Sequence, residues 1–157
     1  MAPRSGIGLK HPAVLSIVLL ASLVPYVADA TLGEPASTVA TDAQSLKASV
    51  KSSPQTNYRI DEIALPSGTT LREFSTPGGP VFAVAWSGPA IPDLKQTLGG
   101  YFDSFVAGAK ASRTGHHHLQ ISGDKFVMQS SGHMRAFTGR AYLPQAVPAG
   151  VSVDELH

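Results

Sequence analysis

Between Tyr58 and Trp86 three short runs of residues are separated by turns that proline and glycine dictate. Tyr58–Leu65 (YRIDEIAL) leads into Pro66-Ser67-Gly68, and Thr69–Ser75 (TTLREFS) into Thr76-Pro77-Gly78-Gly79. Pro80–Trp86 (PVFAVAW) stops at Ser87-Gly88-Pro89. Alternation with a period of two marks strands with distinct faces, and Pro/Gly clusters mark the turns between them. Parallel strands need a crossover of roughly a dozen residues, so strands joined this tightly form an antiparallel meander. Leu71 and Glu73 face one way, Arg72 and Phe74 the other. A strand that begins at Pro80 puts Phe82, Val84 and Trp86 on one face.

Past Pro89 the period changes. Leu94, Leu98, Phe102, Phe105 and Ala109 are spaced four, four, three and four apart, and Tyr101 and Val106 widen the stripe. This predicts a helix from about Pro92 to Ala111, with Asp93 as its cap. Gly99-Gly100 costs it about 2 kcal/mol relative to two alanines. Either the helix kinks there or a long side chain from a sheet needs close approach. A polar loop at 112–117 then leads into strands at His118–Ser122, Lys125–Ser130 and His133–Leu143. Gly123-Asp124 and Ser131-Gly132 read as turns, and Gly139 as a bulge. The order strands, helix, strands predicts an α+β fold: an antiparallel sheet of two three-stranded meanders with one central helix packed on a face.

The ends read differently. Arg4 and Lys10 precede an apolar stretch, Val14–Val24, and Ala28-Asp29-Ala30 follows Pro25. That is the layout of a secretory signal peptide over residues 1–30. The stretch is far short of the ~20 residues a membrane span needs, so no span is expected after cleavage. Residues 31–57 hold no aromatic side chain and read as a leader with one short helix, because Val39, Ala43, Leu46 and Val50 share a helical face. Thr41 and Gln44 fit a capping box, Lys47 and Lys51 suit the far end, and Ser52-Ser53-Pro54 stops it. Residues 58–157 then form a single domain that holds every aromatic side chain of the exported chain.

Cleavage after Ala30 leaves ten basic and ten acidic residues. A neutral chain without a basic stripe is a poor nucleic-acid binder. The chain has no cysteine, which excludes disulfides, thiolate metal sites and a cysteine nucleophile. No cofactor is implied.

Three segments carry a resemblance: REFSTPGGPVFAVAWSGP (72–89), PDLKQTLGGYF (92–102) and SGHMRAFTGRAYLP (131–144). Together they resemble a family of small exported bacterial proteins known only as a domain of unknown function. The likeness covers roughly Leu32 to Leu156. It implies export to the periplasm or beyond, and no catalytic residue.

Chemistry-bearing candidates are few. His116, His117 and His118 could offer imidazoles to a metal, or form a solvated polar loop. On a strand His133, Arg135 and Phe137 would share a face, where an aligned His and Arg could take a carboxylate or phosphate. Arg135 could instead pair with Glu73. Trp86 is either a core plug or the rim of a ligand site beside Ser87-Gly88-Pro89. Met128, His133 and Met134 are the soft ligands a copper(I) site would need. No catalytic residue is expected, since phosphate-loop and nucleophile-elbow motifs are absent.

The expected function is therefore a non-enzymatic exported domain that binds an envelope protein or component. The alternative is a small-ligand or metal module using His133 and Arg135, with Glu73 and Trp86 as further candidates, or the His116–His118 loop. The export reading has a direct check. N-terminal sequencing of the secreted protein is expected to begin at Thr31, and a chain that keeps Met1 would disprove it.

Overall fold

In the computed structural model, which describes residues 32–38, 48–112 and 118–157, each run between turns becomes a strand. These are β1 (Ser49–Pro54), β2 (Arg59–Ala64), β3 (Thr70–Ser75) and β4 (Val81–Gly88), then β5 (His118–Ile121), β6 (Val127–His133) and β7 (Ala136–Tyr142). All pairings are antiparallel, in the order β1-β2-β3-β4-β7-β6-β5. The α+β expectation holds, but the two three-stranded meanders do not. The first meander has four strands, and β7 pairs with the free edge of β4 from Ala83↔Tyr142 to Gly88↔Phe137. One seven-stranded sheet results.

The added strand is β1. Val50 pairs with Ile63 and Ser52 with Asp61, so the predicted helical stripe does not end at Val50. Its other members, Val39, Ala43 and Leu46, lie outside the described residues, as does the predicted signal peptide. Serine and valine are indifferent helix formers. Backbone pairing to β2 and a bond from Ser52 Oγ to the buried Asp61 carboxylate outweigh a helical spacing. Residues 32–38 also join the fold. Gly33 N donates to Val81 O at 2.8 Å, Val81 N to Glu34 O at 2.9 Å, and Leu32 is buried.

Two local expectations fail for identifiable reasons. Phe82 does not share a face with Val84 and Trp86. The register shifts between Phe74↔Ala83 and Ser75↔Val81, so Phe82 is the extra residue of a bulge and packs with Phe74, Ala83 and Ala85. Ser131-Gly132 is not a turn. It continues β6 to His133, and the hairpin turns at Met134-Arg135, between His133 and its partner Ala136. Arg135 sits at φ 61. A left-handed non-glycine residue costs about 1–2 kcal/mol, which the long β6–β7 ladder offsets.

The helical segment is α1 (Leu94–Leu98), a tight turn at Gly99–Tyr101, and α2 (Phe102–Ala111). Asp93 caps it, accepting from Lys95 N at 2.9 Å and Gln96 N at 3.2 Å. Gly99 has φ 49 and ψ −122, a conformation glycine alone adopts readily. A side chain at Gly100 would meet nothing within 4 Å, so Gly100 admits no close neighbour, and the backbone of Gly99 breaks the helix.

The sheet is covered on both faces. Leu98, Tyr101, Phe102 and Phe105 lie on the face of Ile63, Leu71, Val84, Trp86, Met128 and Ala141. Val147, Val151, Val153 and Leu156 of the C-terminal tail lie on the other, where Leu156 is fully buried with Phe74, Phe82, Ala83 and Ala85.

Gly139 carries no bulge, since it pairs in register with Trp86 and Ser130. It is glycine because the Trp86 ring fills the place of its side chain, and a Cβ there would stand 2.2 Å from Trp86 Cζ2. Gly139→Ala is expected to destabilise the protein by about 1–3 kcal/mol through overpacking. Urea midpoints measure this, and an unchanged midpoint would contradict the packing.

Candidate functional site

The residues singled out from sequence do not converge. Glu73 faces the helix side with Leu71, as alternation requires, and is fully buried. Arg135 is an exposed turn residue at the tip of the β6–β7 hairpin, so it aligns neither with His133 nor with Phe137. The tip lies beyond Gly88↔Phe137, whereas Glu73 pairs with Val84, which pairs with Ala141. Arg135 therefore does not meet Glu73. His133 ends β6 and is exposed. Met128 is buried in the core while Met134 is 95% exposed, so the three soft ligands are separated. His116 and His117 lie outside the described residues. Among the described residues no group of three metal-ligating side chains forms.

Polar side chains converge elsewhere, on the face that carries residues 147–157. Two cross-strand rows build the site. Thr70, Ser87, Thr138, Ser131 and His118 stand in register, one from each of five adjacent strands. Beside them Arg72, Ala85, Arg140 and Gln129 form the second row. Strands lie roughly 4.8 Å apart, which sets the interval along each row. Alternation explains why polar residues gather here: Arg72 and Arg140 sit one position away from residues that face the helix.

A groove of about 490 Å³ opens over these rows, and Leu156 and His157 form its wall. Its volume suits a small ligand or one segment of a larger one. The arginines hold the wall in place. Arg72 pairs with Glu62 at 2.9 Å, and its Nη1 donates to His157 O at 2.9 Å. Arg140 donates through Nε to Gln129 Oε1 at 2.9 Å and through Nη1 to Val153 O, and lies 3.6 Å from Asp154. Both guanidiniums stay partly exposed, Arg72 at 35% and Arg140 at 21%.

The floor supplies hydroxyls. Ser131 Oγ and Thr138 Oγ1 bond each other at 3.2 Å. Ser87 and Thr138 are exposed, as is His118 at the end of the row. Trp86 also borders the groove. It is a core residue, 3% exposed, and among the described residues its buried Nε1 has no hydrogen-bond partner. The arrangement offers cationic forks, hydroxyls and imidazoles to one polar, electron-rich ligand.

Sequence reasoning reached Trp86 and His118 and missed Arg72, Arg140, Ser87, Ser131 and Thr138. Alternation does place Arg72 opposite Glu73. Nothing along the chain says that β7 will carry Arg140 and Thr138 to the edge of β4.

The wall itself is tested by Leu156→Ala. Loss of this buried side chain is expected to cost about 2–5 kcal/mol. Chemical denaturation reads it, and a change under about 0.5 kcal/mol would show a tail that adds nothing to the fold.

Residues 28–156 match a family described as protein of unknown function (DUF2844). No curated protein and no solved structure matches the chain.

Proposed function

The chain belongs to this family, and we propose that it acts as a non-enzymatic exported domain that binds an envelope component in the groove. One observation carries this reading: Arg72, Arg140, Ser87, Ser131, Thr138 and His118 converge on one open cavity of about 490 Å³. Donors gathered from five strands suit recognition of a ligand rich in acceptors. The charge balance of the chain gives no reason to invoke nucleic acid.

The groove also supports this better than strand addition at a sheet edge. Of the two edge strands, β1 carries Lys51 and ends at Pro54, and β5 has only 4 residues; lysine, proline and a short edge all discourage a further strand. His118, the described member of the histidine cluster, stands at the end of the groove, so the ligand-module alternative now centres there rather than on Arg135.

Thr138→Tyr tests the reading, because an aromatic side chain on this exposed strand position fills the groove and keeps β propensity. A ligand at 100 times its Kd adds about 2.7 kcal/mol, which raises Tm by roughly 10 °C for a chain of this size. Anionic and polyhydroxylated compounds are expected to include at least one that shifts the purified protein and leaves the Thr138→Tyr variant unmoved. Equal shifts in both proteins would place binding elsewhere, and no shift from any compound would remove the groove as a ligand site.

A further inference from the structure

We propose that the ligand of this groove is a linear acidic glycan that lies across the strands, with carboxylates on alternate sugars. This rests on the groove being a binding surface and adds the class of molecule it takes. The first support is the row of Ser87, Thr138, Ser131 and His118, all of which line the groove. It presents a hydrogen-bonding side chain on each of four adjacent strands, at intervals of roughly 4.8 Å, over about 14 Å in all. Ser87, Thr138 and His118 are open to solvent.

A polymer that reads such a row must repeat at the strand spacing. An extended peptide does not, because its side chains on one side recur at about 6.7 Å, two residues of roughly 3.3 Å each. A pyranose ring linked through opposite ends advances by about one strand spacing and carries hydroxyls at each step. The ring oxygens and hydroxyls then meet the side-chain hydroxyls one strand after another.

The second support is charge. Arg72 and Arg140 lie in the neighbouring row with Ala85 between them. They are two strands apart, about 10 Å. That interval matches carboxylates on every second sugar. Arg72 uses Nε and Nη1 within the protein, and among the described residues its Nη2 donates to nothing. A guanidinium with a spare N–H is suited to a carboxylate oxygen. Ala85 between them is buried with Leu156, so a ligand meets the two guanidiniums along the edge of the tail.

Trp86 makes the test direct. It is the one tryptophan of the chain and borders the groove. The purified protein is titrated with an octasaccharide of hyaluronan, in which a uronic acid alternates with an N-acetylated neutral sugar, and Trp86 emission is followed. Neutral chitin oligomers and oligo-glutamate are the comparison probes. Saturable binding of the acidic sugar is expected, with affinity at least tenfold above either comparison. Thr138→Val combined with Ser131→Ala removes the central hydroxyls and suits a strand. It is expected to weaken binding at least tenfold with an unchanged Tm in the absence of ligand.

Unchanged affinity in the double variant would overturn the proposal, as would oligo-glutamate binding as tightly as the sugar. If the sugar fails while another compound shifts the parent but not Thr138→Tyr, the glycan is wrong and the groove stands. If nothing distinguishes parent from Thr138→Tyr, both fall.

Discussion

Strand β4 is paired along both edges and packed on both faces, and the rest of the molecule depends on that double burial. Val81, Phe82, Ala83, Val84, Ala85 and Trp86 are all buried. A run this apolar cannot sit at the edge of a sheet, where one row of backbone groups and usually one face meet water. It must be central. The chain leaves β4, covers one face with α1 and α2, and comes back as β5–β7 to complete the open edge. Without the β4–β7 ladder the two meanders would be separate small sheets, each too thin to bury its own apolar side.

The bulge at Phe82 then divides labour between the faces. It sends Phe82 to the side of Phe74, Ala83 and Ala85, where Leu156 closes the core. Val81, Val84 and Trp86 stay with the helix. The tail covers only part of its face. Arg72 and Arg140 mark where the covered part ends, each turning a guanidinium toward a tail carbonyl. Hydrogen bonds from charged donors are the stronger kind, so the groove has a wall held by charge as well as by Leu156. Beyond that wall the sheet remains polar and open.

Much of this was legible along the chain. Strands β2, β3 and β4, the helical segment and the Asp93 cap follow from period and punctuation, because those signals act within a few residues. The opposition of Leu71 and Glu73 to Arg72 and Phe74 needs only the pleat. The failures share a cause. Val50 at the end of a helical spacing, Ser131-Gly132 as a turn and Phe82 on the face of Trp86 are local inferences, and tertiary pairing overrode each one. The candidate site fared worse for the same reason. His133 and Arg135 are close in sequence and look like a pair, yet the hairpin turns at Met134-Arg135, which takes Arg135 off the strand that His133 ends.

By itself, the sequence determined most of the segments that extend, which segment coils into a helix, and that strands joined by turns of a few residues would pair antiparallel, since such turns allow no other pairing. It determined as well that the fold would stand without a disulfide. Only the tertiary structure decided that β7 would meet β4, that β1 would extend the first meander, and that Arg72 and Arg140 would share a row with a hydroxyl row beside them. Those facts are matters of register between strands far apart along the chain. Register is set by how whole faces bury together, and no local pattern encodes it.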